Sequence, residues 1–391
     1  MRNNNHNKKI KVFIIAGEVS GDVLGARIMR ELPDAEFFGV GGENMIAAGL
    51  QSLVPISDLA VMGVIEVLGR ARTLTRRIRQ VADAVIATQP DIVLTIDAPG
   101  FARGVVKRVR KSAAGRDLIQ HGMKFHHVVA PQVWAWRAGR AKKYARTFDK
   151  LYAFFDFEVP YFTKYGLDTV AVGHPISDGL VGRRRARVID GDVKDADKVI
   201  TMAPGSRMSE VRRLMPLFRD VAHRLTAAGY IGYRFVIPTV ETTAEYVQQH
   251  TANWDVPVEL VPSAVRYKIY SQTYIAVAAS GTVSAELAML HIPAVIVYKM
   301  NPITTWLARR VLRIHWVSLV NILLNRCVYP EYLGPAATSE NVVNAIRQLA
   351  MPSVRRTMIA ELKSADRLWH RANGAPAAII AKSVRNAAVK K

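Results

Sequence analysis

The sequence predicts an α/β fold of two open parallel-sheet domains facing a central cleft, followed by C-terminal helices. Short β-rich apolar runs alternate with amphipathic helical patterns, this rhythm occurs twice, and a polar stretch separates the two sets. At 391 residues, half of them hydrophobic, the chain is long enough to bury two cores.

The first set of predicted strands is "KVFIIAG", "DIVLTID", "HHVVAP", "KLYAF" and "TVAVG". The second is "KVITMAPG", "YRFVIP", "VELV", "YIAVAAS" and "PAVIVY". Between them lies "GHPISDGLVGRRRARVIDGDVKDADK", charged and carrying Gly and Pro, which reads as a linker. The domains are therefore expected at residues 1–175 and 176–355. A basic helical tail, 356–391, is left to pack on a domain or on a partner chain. No strand is expected after Tyr332. Ligands of open α/β sheets bind beyond the carboxyl ends of the strands, so the expected site is the cleft between the two sheets.

Composition narrows the function classes. A lone cysteine, Cys327, excludes an internal disulfide, and the polar start "MRNNNHNKKI" leads into no signal-type apolar run, which favours the cytosol. The most apolar region is interrupted by Gly281, Glu286, His291 and Pro293, so no transmembrane helix is expected. The net charge of +22, from 54 Lys plus Arg against 32 Asp plus Glu, draws the protein to a polyanion or an anionic membrane. A nucleic-acid reading rests on that charge alone, without aromatic-bearing strands or metal-knuckle cysteines. His121, His126 and His127 lack acidic or cysteine partners at ligand spacing, and neighbours on a strand face opposite ways, so no metal is expected.

Several stretches point to chemistry. In "APGSRMSEVRRL" a turn of small residues places Ser206 and Arg207 at the mouth of a helix, where unpaired N–H groups and the dipole favour an anion. "AGEVSGDVLG" sets Gly17, Glu18, Ser20 and Gly21 on a strand-to-helix turn that matches neither a dinucleotide fingerprint nor a phosphate loop; it either packs helix on strand or approaches a sugar or acyl group. Asp97 ends a buried strand in "TIDAPGF", as a general base or as a helix N-cap. Trp134 and Trp136, two apart in "VWAWR", form either a platform for a sugar or apolar chain or a plug under a loop. In "AASGTVSAELAML", Gly281 and Thr282 open a helix bearing Glu286, suited to ribose hydroxyls or simply a surface glutamate. Asn321 lies on an apolar stretch and needs polar partners, either a diphosphate or a backbone loop.

"DLAVMGVIEVLGRARTLTRRIRQ" joins apolar Val61, Met62, Val64, Ile65, Val67 and Leu68 to a cluster including Arg72 and Arg76. That pairing suits a segment lying in a membrane interface, each basic side chain adding about 1 kcal/mol. A buried helix ending in a solvated charged face has the same pattern.

In order, "AGEVSGD", "FFGVGGENM", "LAVMGVIEVLGR", "IDAPGF", "VWAWR", "VGHP", "APGSR", "ASGTVSAE" and "VSLVNIL" resemble the bacterial lipid-A-disaccharide synthases from about Lys11 to the helical tail. The resemblance implies a GT-B glycosyltransferase with two Rossmann-like domains, an N-terminal acceptor- and membrane-facing one and a C-terminal UDP-sugar-binding one. In that family a UDP-activated diacylglucosamine is transferred to the 6-hydroxyl of a diacylglucosamine 1-phosphate, giving the β-1,6 linkage of lipid A and releasing UDP. It further implies Asp97 as the essential acid and candidate base, and Ser206, Arg207, Gly281, Thr282, Glu286 and Asn321 as UDP-sugar contacts. Glu18, Ser20, Trp134 and Trp136 are then acceptor or sugar candidates, and the Val61–Arg76 stretch the membrane and acyl contact. The implied location is the cytosolic face of the inner membrane, without cofactor, with a homodimer as an open arrangement. Two departures stand out: Gly100 where the family often carries a second acid, and Gln132 where a serine is common. The runner-up is another UDP-sugar enzyme of the same fold, an epimerase or a muramyl-type transferase.

Overall fold

The computed structural model describes residues 9–59, 64–135, 138–180, 198–230, 232–299, 315–369 and 374–389. The chain divides into two units, Met1–Pro175 with His370–Lys391 and Ile176–Trp369. The final helix thus belongs to the first unit of its own chain.

The first unit begins with β1 (Ile10–Ala16), α1 (Val19–Arg30), β2 (Ala35–Val40), α2 (Glu43–Ala47), α3 (Val64–Thr88) and β3 (Ile92–Ile96). It continues with α4 (Pro99–Lys111), α5 (Ala113–Gln120), β4 (Lys124–Val128), α6 (Arg140–Ala145), β5 (Lys150–Ala153), α7 (Pro160–Thr163) and β6 (Asp168–Ala171). Its strands form a parallel sheet in the order β2-β1-β3-β4-β5-β6. Phe13, Ile15 and Val93 pack on one face with Val81, Val85, Phe101 and Val105 from α3 and α4. Val12, Ile14 and Leu94 pack on the other with Leu24 and Ile28 from α1. This period-2 division, with both faces covered, is why the strands read as continuous apolar runs.

The second unit holds α8 (Ile176–Leu180), β7 (Val199–Ala203), α9 (Met208–Ala227), β8 (Arg234–Thr239), α10 (Glu241–Thr251), β9 (Val258–Pro262), α11 (Arg266–Tyr270) and β10 (Thr273–Ala279). It continues with α12 (Thr282–Met289), β11 (Ala294–Tyr298), α13 (Leu319–Leu324), β12 (Glu331–Leu333), α14 (Ser339–Ala350), α15 (Pro352–Ser364) and α16 (Asp366–Trp369). The parallel sheet runs β12-β11-β10-β7-β8-β9. On α9, Val211, Leu214, Met215, Phe218, Val221, Ala222 and Leu225 are buried, the stripe an amphipathic helix turns to its sheet.

After the break, α17 (Pro376–Val389) inserts Ala377, Ile380, Ala381 and Val384 into the core against β1 and α1 of the first unit.

Two strands escape the sequence pattern. β2, "AEFFGV", contains an exposed glutamate, and β12 is three residues long, carrying Glu331 and including Tyr332. Both are edge strands, where half-polar sequences suffice. The basic cluster from Arg70 onward lies on the same 25-residue helix, α3, as Val64, Ile65, Val67 and Leu68. The side chains of those four, and Val61, Met62 and Trp136 altogether, lie outside the described residues.

Candidate functional site

In each unit the chain leaves its first strand in one direction and later returns on the other side. The first sheet reverses between β1 and β3, the second between β7 and β10. At such switch points the loops leaving the carboxyl ends diverge and open a crevice for ligand. The loops concerned carry Gly17–Ser20 and Asp97–Gly100 in the first unit, and Pro204–Arg207 and Ser280–Thr282 in the second.

In the first unit the two loops touch. A Cβ on Gly17 would come 2.0 Å from the Ala98 Cβ, so only glycine fits. Glu18 is partly buried at the N-cap position of α1 but makes no side-chain cap, while Ser20 is exposed. Asp22, by contrast, is committed to structure: its carboxylate accepts the backbone N–H groups of Gly42, Asn44 and Met45 and the Asn44 amide, clamping α2 to α1.

Asp97 is not the helix cap that its position suggests. The N-cap of α4 is Ala98, and among the described residues Asp97 accepts only the Ala98 N–H, through Oδ1 at 2.9 Å. Asp97 and Ala98 have φ of 54° and 44°, and Val129, at the end of the adjacent β4, has φ of 82°. Left-handed backbone in three non-glycine residues, one of them β-branched, is strain of the kind that clusters at functional sites. Burial raises the Asp97 carboxyl above its ordinary range, opposed by the Ala98 N–H bond. Gly100 is exposed and has open space where a Cβ would project, so the missing second acid is not forced by crowding. Gln132 is also exposed.

Trp134 is partly buried, with its edge on Phe157 and its indole N–H donating to Glu158 Oε1 at 3.4 Å. Glu158, which the sequence reading missed inside the apolar run "FFDFEVP", also accepts the N–H groups of Phe154 and Phe155. Burial lifts its carboxyl to about 7 against the bonds from Phe155, Trp134 and Phe154.

In the second unit Gly205 (φ 100°) precedes α9, and Gly281 (φ 150°) is the N-cap of α12. Neither helix has a side-chain cap on its first turn. Ser206, Gly281 and Thr282 are exposed, and the Arg207 side chain is 56% exposed, paired with Glu210 at 3.0 Å. An exposed pair of this kind is easily exchanged for a more highly charged partner.

Two expected contacts are corrected. Asn321 is fully buried: its amide donates to the Tyr329 carbonyl and Glu331, and its carbonyl accepts the N–H groups of Val328 and Tyr329. With every hydrogen-bonding position used, it has no capacity for a diphosphate. Its role is to brace the wall beside Gly281: Glu331 also holds the N–H groups of Val317 and Ser318, and the Ser280 hydroxyl donates to the Val317 carbonyl. Glu286 is not an open ribose acceptor either. Its side chain is 6% exposed, and its oxygens take three hydrogen bonds from Arg266 and Tyr267.

Residues 12–372 match the family described as lipid-A-disaccharide synthetase. The lipid-A-disaccharide synthase of Rhodospirillum centenum is 41% identical, with 98% of this chain and 96% of that protein covered. That of Ruegeria pomeroyi is 40% identical over 85% and 84%. Among solved structures, UDP-GlcNAc 2-epimerase from Neisseria meningitidis bound to UDP-GlcNAc has a TM-score of 0.59 at 12% identity, covering 98% of this chain and 100% of that one. Acinetobacter baumannii MurG has 0.56 at 13%, covering 96% and 99%. These two likenesses show the GT-B fold.

Proposed function

From the premise that the chain belongs to the lipid-A-disaccharide synthase family, we propose how its two units share the work. The activity itself is that of the family: a glycosyltransferase of lipid A biosynthesis, acting on UDP-diacylglucosamine and diacylglucosamine 1-phosphate. Bond formation needs a proton removed from the acceptor hydroxyl and negative charge accepted on the departing diphosphate, two separate tasks.

Asp97 takes the proton. The hydroxyl oxygen forms the new bond to the anomeric carbon as the old carbon–oxygen bond breaks, and its electron pair leaves with UDP. Attack opposite the leaving group passes through an oxocarbenium-like state, and one base suffices. The second unit stabilises the leaving group: the uncapped starts of α9 and α12 supply N–H donors, and Arg207 supplies a guanidinium once released from Glu210. These groups gain most when charge builds on the diphosphate, so they favour the transition state over bound donor.

The observation carrying the base assignment is the strained backbone at Asp97 together with a desolvated carboxylate that serves no capping purpose. Asp97→Asn should lower kcat by about a thousandfold or more, within the range of a lost general base, and the circular dichroism spectrum should stay unchanged. Because burial raises the carboxyl, wild-type kcat/KM should begin to fall on acidification at a higher pH than an exposed aspartate would allow. Near-normal turnover in Asp97→Asn removes the residue from the mechanism.

The net charge of +22, with exposed Arg72 and Arg76 on α3, supports peripheral attachment to the anionic cytosolic face of the inner membrane. Among the described residues no helix is long and apolar enough to cross a membrane. Flotation with vesicles of anionic against neutral lipid tests the attachment.

A further inference from the structure

The acceptor differs from most sugar alcohols in carrying a phosphate, one sugar-ring width from the reacting hydroxyl. If Asp97 receives the hydroxyl proton, the phosphate lies one sugar ring away, within reach of groups near Asp97 in the same unit. A group of polar side chains beside Asp97 is unaccounted for by the fold. On α4, Arg108 pairs with Asp83, and Arg110 with Asp149. Arg103, on the same helix, has no hydrogen-bond or ion-pair partner among the described residues, although its Nε is buried. On α6, Tyr144 is 2% exposed, and its hydroxyl is likewise buried without a partner among the described residues.

A buried hydroxyl without a partner costs free energy, and so does a buried guanidinium nitrogen. Such groups persist where a ligand completes them. The charges acting on the Tyr144 hydroxyl are those of Arg103, Arg140 and Asp97, which puts one phenol, two guanidiniums and the proposed base in one neighbourhood. α4 and α6 follow β3 and β4, so both enter from the carboxyl edge where the site lies. Burial also keeps the phenol protonated, as a donor. A planar guanidinium and a neutral hydroxyl are suited to a tetrahedral dianion.

We propose that Arg103 and Tyr144, with Arg140 beside them, form a subsite for the phosphate of the acceptor, orienting its hydroxyl toward Asp97. The proposal rests on the assignment of Asp97 as base. The subsite makes the phosphate a determinant of specificity: a site built for charge discriminates against the uncharged sugar by leaving its own polar groups unpaired.

The test compares the diacylglucosamine 1-phosphate acceptor with the same lipid lacking phosphate, in detergent micelles. Arg103→Ala should raise KM for the phosphorylated acceptor about ten- to a hundredfold. KM for UDP-diacylglucosamine and for the phosphate-free acceptor should change by about twofold at most, and Arg103→Lys should recover part of the loss. Tyr144→Phe should give a smaller rise with the same selectivity. An unchanged KM for the phosphorylated acceptor in folded Arg103→Ala overturns the proposal, as does an equal rise for both acceptors. If Arg103→Ala does not fold, Tyr144→Phe decides alone, a selective rise supporting the subsite and its absence refuting it. Asp97→Asn separates the two readings. It should lower kcat with either acceptor, and its failure to do so removes the base while leaving the measured phosphate selectivity to stand or fall with Arg103.

Discussion

The switch points of the two sheets occupy equivalent places, yet they are built from opposite materials. In the first unit the chain turns through Asp97, Ala98 and Val129, residues with side chains held in left-handed backbone. In the second it turns through Gly205 and Gly281, which tolerate such angles without strain. The first leaves one half-buried carboxylate with a raised pKa; the second leaves exposed helix ends and an exposed arginine. The difference matches the division of labour proposed for the two units. A base gains strength from desolvation and fixed direction, whereas a diphosphate is held by many backbone donors that must come close, which requires the absence of a side chain.

That contrast can be broken most directly at Gly281. Gly281→Val forces a β-branched residue to φ near 150°, and should lower kcat/KM by about ten- to a hundredfold through the 1–3 kcal/mol cost of such strain. The loss should fall on the donor, read as a raised KM for UDP-diacylglucosamine with acceptor KM unchanged. A smaller effect is expected for Arg207→Ala, about tenfold in kcat/KM, because a guanidinium 56% exposed acts through screened charge. Inhibition by UDP should weaken in parallel; unchanged inhibition would place Arg207 away from the diphosphate. Least affected in rate should be Asn321→Ala. It strips partners from Val328, Tyr329 and Glu331 and should cost about 1–3 kcal/mol of stability, measured as a lowered Tm. A kcat loss exceeding that of Arg207→Ala, without any Tm change, would restore a direct ligand role for Asn321.

The parallel strands and their succession were legible because fully buried strands are continuous apolar runs, and helix starts after strands carry Gly, Pro and Ser. β2 and β12 were not, since an edge strand has one unpaired side and needs no such run. Among the candidate residues, Asp97, Arg207 and Gly281 could be named because each lies in a loop that leaves the end of a strand, a local property. Asn321 and Glu286 look the same in sequence whether they meet a ligand or the protein. Only the placement of Glu331, Arg266 and Tyr267 around them decides. Arg103 and Tyr144 are about forty positions apart, and nothing in "FARGVV" or "AKKYAR" announces that α4 and α6 bring them together.

The last helix has a consequence for how the molecule is made. Since α17 supplies Ile380, Ala381 and Val384 to the core laid down by β1 and α1, that core lacks part of its interior until α17 has been made. The second unit is complete in sequence before then and is free to fold as it emerges. The segment that completes the first unit is therefore made only after the whole of the second, and a nascent chain that has not yet reached Pro376 would carry a finished second unit and an unfinished first.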